Sequence, residues 1–138
     1  MKKIVIPGIV AAIVSLAASM VVGYLFQIIM PSLKLDYENP NMFRPWSDPI
    51  MNIFWIHPFL LVLPMAWIWD KTKHLFTGSY FNNVLTFTVI SWFVSNLPGM
   101  ILSYSSFKIS LFMTVTWSIT GLVQVFVAML IVAKMNKK

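Results

Sequence analysis

Four apolar stretches, residues 4–30, 51–69, 81–104 and 109–133, fill most of this 138-residue chain. At about 1.5 Å per helical residue, each is about long enough to cross a hydrocarbon layer of roughly 30 Å. Hydrocarbon offers backbone N–H and C=O groups no partner, so each segment must satisfy its own hydrogen bonds, as a helix does. The expected fold class is all-α: a polytopic membrane protein with four transmembrane helices in an antiparallel up-down bundle, forming one domain over residues 1–138.

Hydrophobic residues make up 59% of the chain and charged residues 10%, whereas soluble domains carry about a quarter charged. A soluble fold of this length cannot cover so much apolar surface. The formal net charge of +6 does not point to nucleic acid, because the cations sit at the ends of the apolar segments, where they meet lipid head groups. No basic patch interleaved with aromatics stands clear of a span, so no nucleic-acid partner is expected. The chain has no cysteine, which removes thiolate catalysis, disulfide exchange and cysteine-ligated metals together.

Charge also orients the spans. Lys2 and Lys3 precede span one, Lys71 and Lys73 follow span two, and Lys134, Lys137 and Lys138 follow span four. The positive-inside rule places all of these in the cytoplasm, so both termini are expected inside and loop 31–50 outside. Lys34, Arg44 and Lys108 then face outward, offset by Asp36, Glu38 and Asp48. The basic N-terminus followed by an apolar run also resembles a secretory signal, but that run continues through Val22 and Phe26 to Met30, so span one is expected to be retained.

Local chemistry marks the boundaries. Pro31 and Ser32 end span one, and Asp48-Pro49 reads as an N-cap and first helical position for span two. Ser79 is the expected cap of span three, and Ser105 or Ser106 that of span four.

Helix faces suggest how the spans pack. In span one Gly8, Ala12, Ser15, Ser19 and Gly23 recur at intervals of three or four, a small-residue stripe that lets backbones approach. In span four Ser110, Thr114, Thr116, Ser118, Gly121 and Gln124 share the contact arc, and Leu111, Phe112, Val115, Ile119, Phe126 and Met129 the lipid arc. Such faces serve packing within the bundle or an interface with another subunit, so a homo-oligomer or a partner membrane protein is a second expected association. Of the tryptophans, Trp46, Trp55, Trp67 and Trp69 are expected at the two interfaces, while Trp92 and Trp117 lie near mid-membrane and require partners for their indole N–H groups.

Polar residues gather toward the outer surface. Loop residues Arg44, Trp46 and Asp48 run into span two, which presents Asn52 and His57, and span three carries Asn96 and Tyr104. His57 and Asn96 fall at similar depth, about 10 Å below the outer surface. Pro58 and Pro98 beside them each remove an intrahelical hydrogen bond, so spans two and three are expected to kink there and form a pocket opening outward. Each residue also has a plainer role: Asp48 as a cap, Arg44 as its ion-pair partner, His57 and Asn96 as interhelical hydrogen-bonding groups. At the inner turn, Asp70, Lys73 and His74 read as a solvated boundary.

No cofactor or metal is expected, since His57 and His74 fall on opposite membrane faces and no cluster of three or four ligands is available. The favoured function is non-enzymatic: binding of a small ligand, lipid or partner helix near the extracytoplasmic surface, with Arg44, Trp46, Asp48, Asn52, His57, Asn96 and Tyr104 as binding residues. Two alternatives stand beside it. One is a homo-oligomeric transporter or channel subunit with a pore lined by Thr116, Thr120 and Gln124, and the other is an enzyme using Arg44, Asp48 and His57 on a lipid-linked substrate.

The absence of native cysteine makes the orientation directly measurable. Asn41→Cys is expected to react with an impermeant maleimide on intact cells, and Lys137→Cys only after permeabilisation; the opposite pattern overturns the assignment.

Overall fold

The computed structural model describes residues 2–137 and is all-helical, with no strand among the described residues. Four helical segments are long and apolar enough to cross a membrane: Lys2–Ile29, Pro49–Leu75, Tyr80–Ser106 and Leu111–Met135. Two are uninterrupted, namely α1 (Lys2–Ile29) and the final helix, α6 (Leu111–Met135). A short helix, α2 (Pro31–Tyr37), lies inside the stretch expected to be loop. Span one does end before Pro31, at Ile29, and Pro31 opens the next helix, in a first turn where a missing N–H removes no intrahelical bond.

The second span is composite. A 3-10 turn, Pro49–Trp55, leads into α3 (His57–Thr72), followed by a second 3-10 turn at Lys73–Leu75. The third comprises α4 (Tyr80–Ser95) and α5 (Leu97–Ser106), divided at Asn96. Pro58 and Pro98 lie in the first two positions of α3 and α5, so they open new helices rather than bend continuous ones.

Capping follows the local chemistry. The Asp48 carboxylate accepts from the Ile50 N–H at 2.9 Å, and the Ser79 hydroxyl accepts from the Asn82 N–H at 3.4 Å. The cap of α6 is Ser110, whose hydroxyl accepts from the Met113 N–H at 3.1 Å, not Ser105 or Ser106. Those two serines remain within α5, which runs to Ser106, further than the apolar pattern alone suggests.

The spans pack unequally. A third of the most apolar window is buried in α1 and in α6, against 22% and 17% for the second and third spans. The helices α1 and α6 form the central pair; α3 packs on both, and α4 and α5 pack on α6. The stripe residues Gly8, Ala12, Ser15 and Ser19 are buried at these contacts, while Gly23 is half-buried with open space beside it. A methyl built on Gly8 would lie 2.6 Å from Leu63 Cδ2 and 3.6 Å from Ala66 Cβ, which shows how closely α3 approaches.

The core gathers at one end. It joins Ala11 and Ala12 of α1, Val62, Met65, Ala66 and Trp69 of α3, Val84 and Phe87 of α4, and Val125, Ala128, Met129, Val132 and Ala133 of α6. Two expectations are corrected there. Trp69 is only 5% exposed, an inner-core residue rather than an interface anchor, with its ring 5.5 Å from Phe76 and 5.4 Å from Phe87. Met129, expected toward lipid, is fully buried because the last turns of α6 are surrounded by α1, α3 and α4. Its first turns keep a one-sided pattern, with Thr114 and Thr116 buried and Leu111, Phe112, Val115 and Ile119 exposed.

Away from this core the structure opens. Neither the Pro49–Trp55 turn nor α5 contributes a buried residue. Several hydroxyls within the helices are satisfied locally, Ser15 donating to the Ala12 carbonyl and Thr120 to the Thr116 carbonyl, which lets them occupy apolar surroundings at little cost.

Gly121 tests the contact between α4 and α6. A methyl there would collide with the Asn96 side-chain amide, so Gly121→Ile is expected to cost about 1–3 kcal/mol through overpacking. Gly23→Ile, with nothing within 4 Å of the added carbon, is expected to leave the melting temperature in detergent unchanged; equal losses for both would place the contact elsewhere.

Candidate ligand-binding site

The outer polar residues do not surround one cavity. Arg44 and Asp48 pair with each other at 2.8 Å in an exposed turn, and Trp46 packs edge-on against Phe54 at 5.5 Å. Asn52, His57 and Tyr104 are exposed. Asn96 turns toward Gly121 of α6, while α3, which begins at His57, packs on α1 and α6. Matching depth brought His57 and Asn96 to similar levels, but helix neighbours were not encoded in depth. For Asp48 the bond from the Ile50 N–H, followed by the bond from Arg44, holds the carboxyl below its ordinary range. That is the electrostatic signature of a cap, with its acceptor capacity already engaged.

The structure assembles a different group at the same end. Trp117 donates its indole N–H to the Tyr37 hydroxyl, and the Ser110 hydroxyl donates to Asp36 at 3.2 Å, so α2 is tied to the start of α6 at two points. Trp117 is the seventh residue of α6, roughly 9 Å along its axis. Phe43 completes an aromatic cluster, 6.1 Å from Trp117 edge-on and 5.4 Å from Tyr37. Burial raises the Tyr37 phenol pKa; the bond from Trp117 opposes that rise and the neighbouring Asp36 adds to it.

Beside the cluster lies a cleft of about 470 Å³ between the loop after α2, the end of α5 and the start of α6. Phe43, Phe107 and Trp117 supply aromatic walls, Ser103 and Ser106 supply hydroxyls, and Lys108 is the single charged lining residue. Its ammonium makes no ion pair or hydrogen bond among the described residues. An apolar cleft with a few polar groups and one unpaired cation suits a small amphiphile bearing negative charge. Of these residues the sequence drew attention to Phe43, Ser103, Ser106, Lys108 and Trp117, each for another reason. The recoverable signal was the need of the Trp117 indole for a partner, which an aromatic-rich loop could meet.

A second polar feature runs between α4 and α6. The Tyr80 hydroxyl donates to the Leu130 carbonyl, and the Trp92 indole N–H donates to the Ser118 carbonyl at 2.9 Å. Passing from Tyr80 to Trp92 along α4 therefore corresponds to passing back from Leu130 to Ser118 along α6. Within this seam Thr88 Oγ1, Asn96 Oδ1 and Gln124 Nε2 are buried without hydrogen-bond partners. The seam is tight at Gly121, where even a methyl meets Asn96, so it reads as a packing contact and not as a ligand cavity. Thr116 and Gln124 are both 6% exposed, so they face into the chain's own bundle.

The inner turn also differs from its expected form. Asp70 accepts from Lys73 at 3.2 Å and from the Asn136 amide at 3.0 Å, and Lys73 donates to Asn136 Oδ1 at 2.7 Å. Asn136 is only 2% exposed, and its carbonyl accepts from the Trp69 indole N–H at 3.4 Å. This is a clamp joining the end of α3 to the end of α6, where the sequence suggested a solvated boundary.

No known family, curated protein or solved structure matches this chain.

The half-buried Tyr37 phenol gives the aromatic cluster a pH signature. Its native pKa is raised above the ordinary 10.0, so its contribution to stability is complete below pH 10 and is lost as pH rises through the native value. Absorbance at 295 nm is expected to lose, in Tyr37→Phe, a phenolate component that titrates above pH 10; loss of a component titrating at the ordinary value of 10.0 instead would show Tyr37 to be solvated.

Proposed function

We propose that this chain is a non-enzymatic integral membrane protein that binds a small amphiphile with an anionic head near the extracytoplasmic surface. Its four spans form an antiparallel up-down bundle with both termini in the cytoplasm and residues 31–50 outside. Support for the antiparallel course comes from the paired contacts of Tyr80 with Leu130 and Trp92 with Ser118, and from the approach of Gly8 to Leu63 and Ala66. Support for the orientation comes from the lysines around spans one, two and four.

The observation that carries the binding reading is the outer cleft, with its aromatic walls and unpaired Lys108. Aromatic faces take up an acyl or ring body, and a lysine facing a largely apolar space favours an anion over a cation. The hydroxyls of Ser103 and Ser106 line the same cleft; Ser103 is half-buried and gives the head group a hydrogen-bond donor. This reading keeps the expected side of the membrane and replaces Arg44, Asp48, Asn52 and His57 as the principal binding residues.

Hexyl phosphate and hexyltrimethylammonium, below their micellar concentrations, provide matched anionic and cationic probes for the protein in lipid nanodiscs. Hexyl phosphate is expected to bind more tightly and to raise the melting temperature. Lys108→Gln is expected to weaken it about tenfold, the scale of one charge-assisted contact, and Phe43→Ala to weaken both probes. Equal affinity for the two probes, or no effect of Lys108→Gln, would sink the assignment.

A further inference from the structure

A second and larger cleft, of about 970 Å³, opens at the other end of the bundle, between the start of α4 and the end of α6. We propose that it is a binding site for the head group of an anionic phospholipid carrying head-group hydroxyls, of the phosphatidylglycerol type. The inference is independent of the outer cleft, sharing no residue with it.

Charge is the first argument. Lys134 and Lys137 line the cleft, and no acidic residue does. Neither ammonium has an ion-pair or hydrogen-bond partner among the described residues. Of the four acidic residues in the chain, Asp70 is the one at this end, and its carboxylate is engaged by Lys73 and Asn136. The cleft is thus left cationic by the clamp beside it, and a phosphate is the complementary group.

The polar lining adds a second requirement. Tyr80 already donates its hydroxyl proton to the Leu130 carbonyl, and the Asn83 amide nitrogen already donates to the carbonyls of Phe76 and Gly78. What these two side chains have left to offer is acceptor capacity, at Tyr80 Oη and Asn83 Oδ1. Hydroxyls on the head group can donate to them, whereas a choline head group has no proton to give. The rest of the lining, including Leu130 and Met135, is apolar, and Met135 is exposed. An acyl chain can therefore leave along α6, which distinguishes a bilayer lipid from a free phosphate.

Nanodiscs of equimolar phosphatidylglycerol and phosphatidylcholine with matched chains, analysed by native mass spectrometry, test the site. Phosphatidylglycerol is expected to be retained on the order of tenfold over phosphatidylcholine. The double substitution Lys134→Gln and Lys137→Gln is expected to erase that preference while circular dichroism and melting remain those of the parent. Lys2→Gln with Lys3→Gln removes the same charge near the same end and is expected to preserve it. Equal retention of the two lipids, or equal losses in the two double variants, would overturn the proposal by reducing the effect to overall charge. Glycerol 3-phosphate is expected not to displace the lipid at millimolar concentration; displacement would assign the cleft to a soluble phosphate instead.

Discussion

The rest of the structure depends on the close approach of α1 to α6 and α3 through small side chains. Lipid removes the hydrophobic drive that holds helices together in water, so association depends on dispersion contacts, which fall away steeply with distance. Gly8, Ala11, Ala12 and Ser15 on α1, with Ala66 on α3 and Ala128 and Ala133 on α6, are buried at one end of the bundle. The ring of Trp69 fills the layer beyond them, and its indole nitrogen is satisfied by the carbonyl of Asn136. Helices held this closely at one end need not remain close at the other.

The second and third spans do not, and the prolines explain part of the difference. Pro58 and Pro98 each begin a helix, so the second and third spans are interrupted at Ile56 and Asn96, and the segments Pro49–Trp55 and Leu97–Ser106 contribute no buried residue. What orders the outer end is α2, held by Tyr37 to Trp117 and by Asp36 to Ser110. The two clefts are products of this arrangement. One lies where the outer segments leave space beneath the loop, the other between the start of α4 and the end of α6, beside a neutralised clamp.

Much of the local structure was legible. Apolar length gave the spans, and short-range acceptors gave the caps at Asp48 and Ser79, because capping involves residues two or three positions apart. The small face of span one was legible for the same reason: 3.6-residue periodicity places Gly8, Ala12, Ser15 and Ser19 together whatever their neighbour. Failures came where a residue's partner lay far away in sequence. Trp69 and Asp70 look like an interface tryptophan and a solvated acid until α3 and α6 bring both against Asn136. Asn96 and His57 look like neighbours by depth, yet depth is one coordinate and contact requires three.

By itself the sequence determined that four segments are long and apolar enough to cross a membrane, where the second and third begin, and which faces carry small or polar groups, since hydropathy, capping and periodicity are properties of consecutive residues. Only the tertiary structure decided which faces meet, that α6 lies at the centre, and which cations remain unpaired. Lys73 and Lys134 are both lysines at span ends, but Lys73 is consumed by Asp70 and Asn136 while Lys134 borders an open cleft. That difference arises from which long-range partner each side chain reaches, and no local pattern contains it.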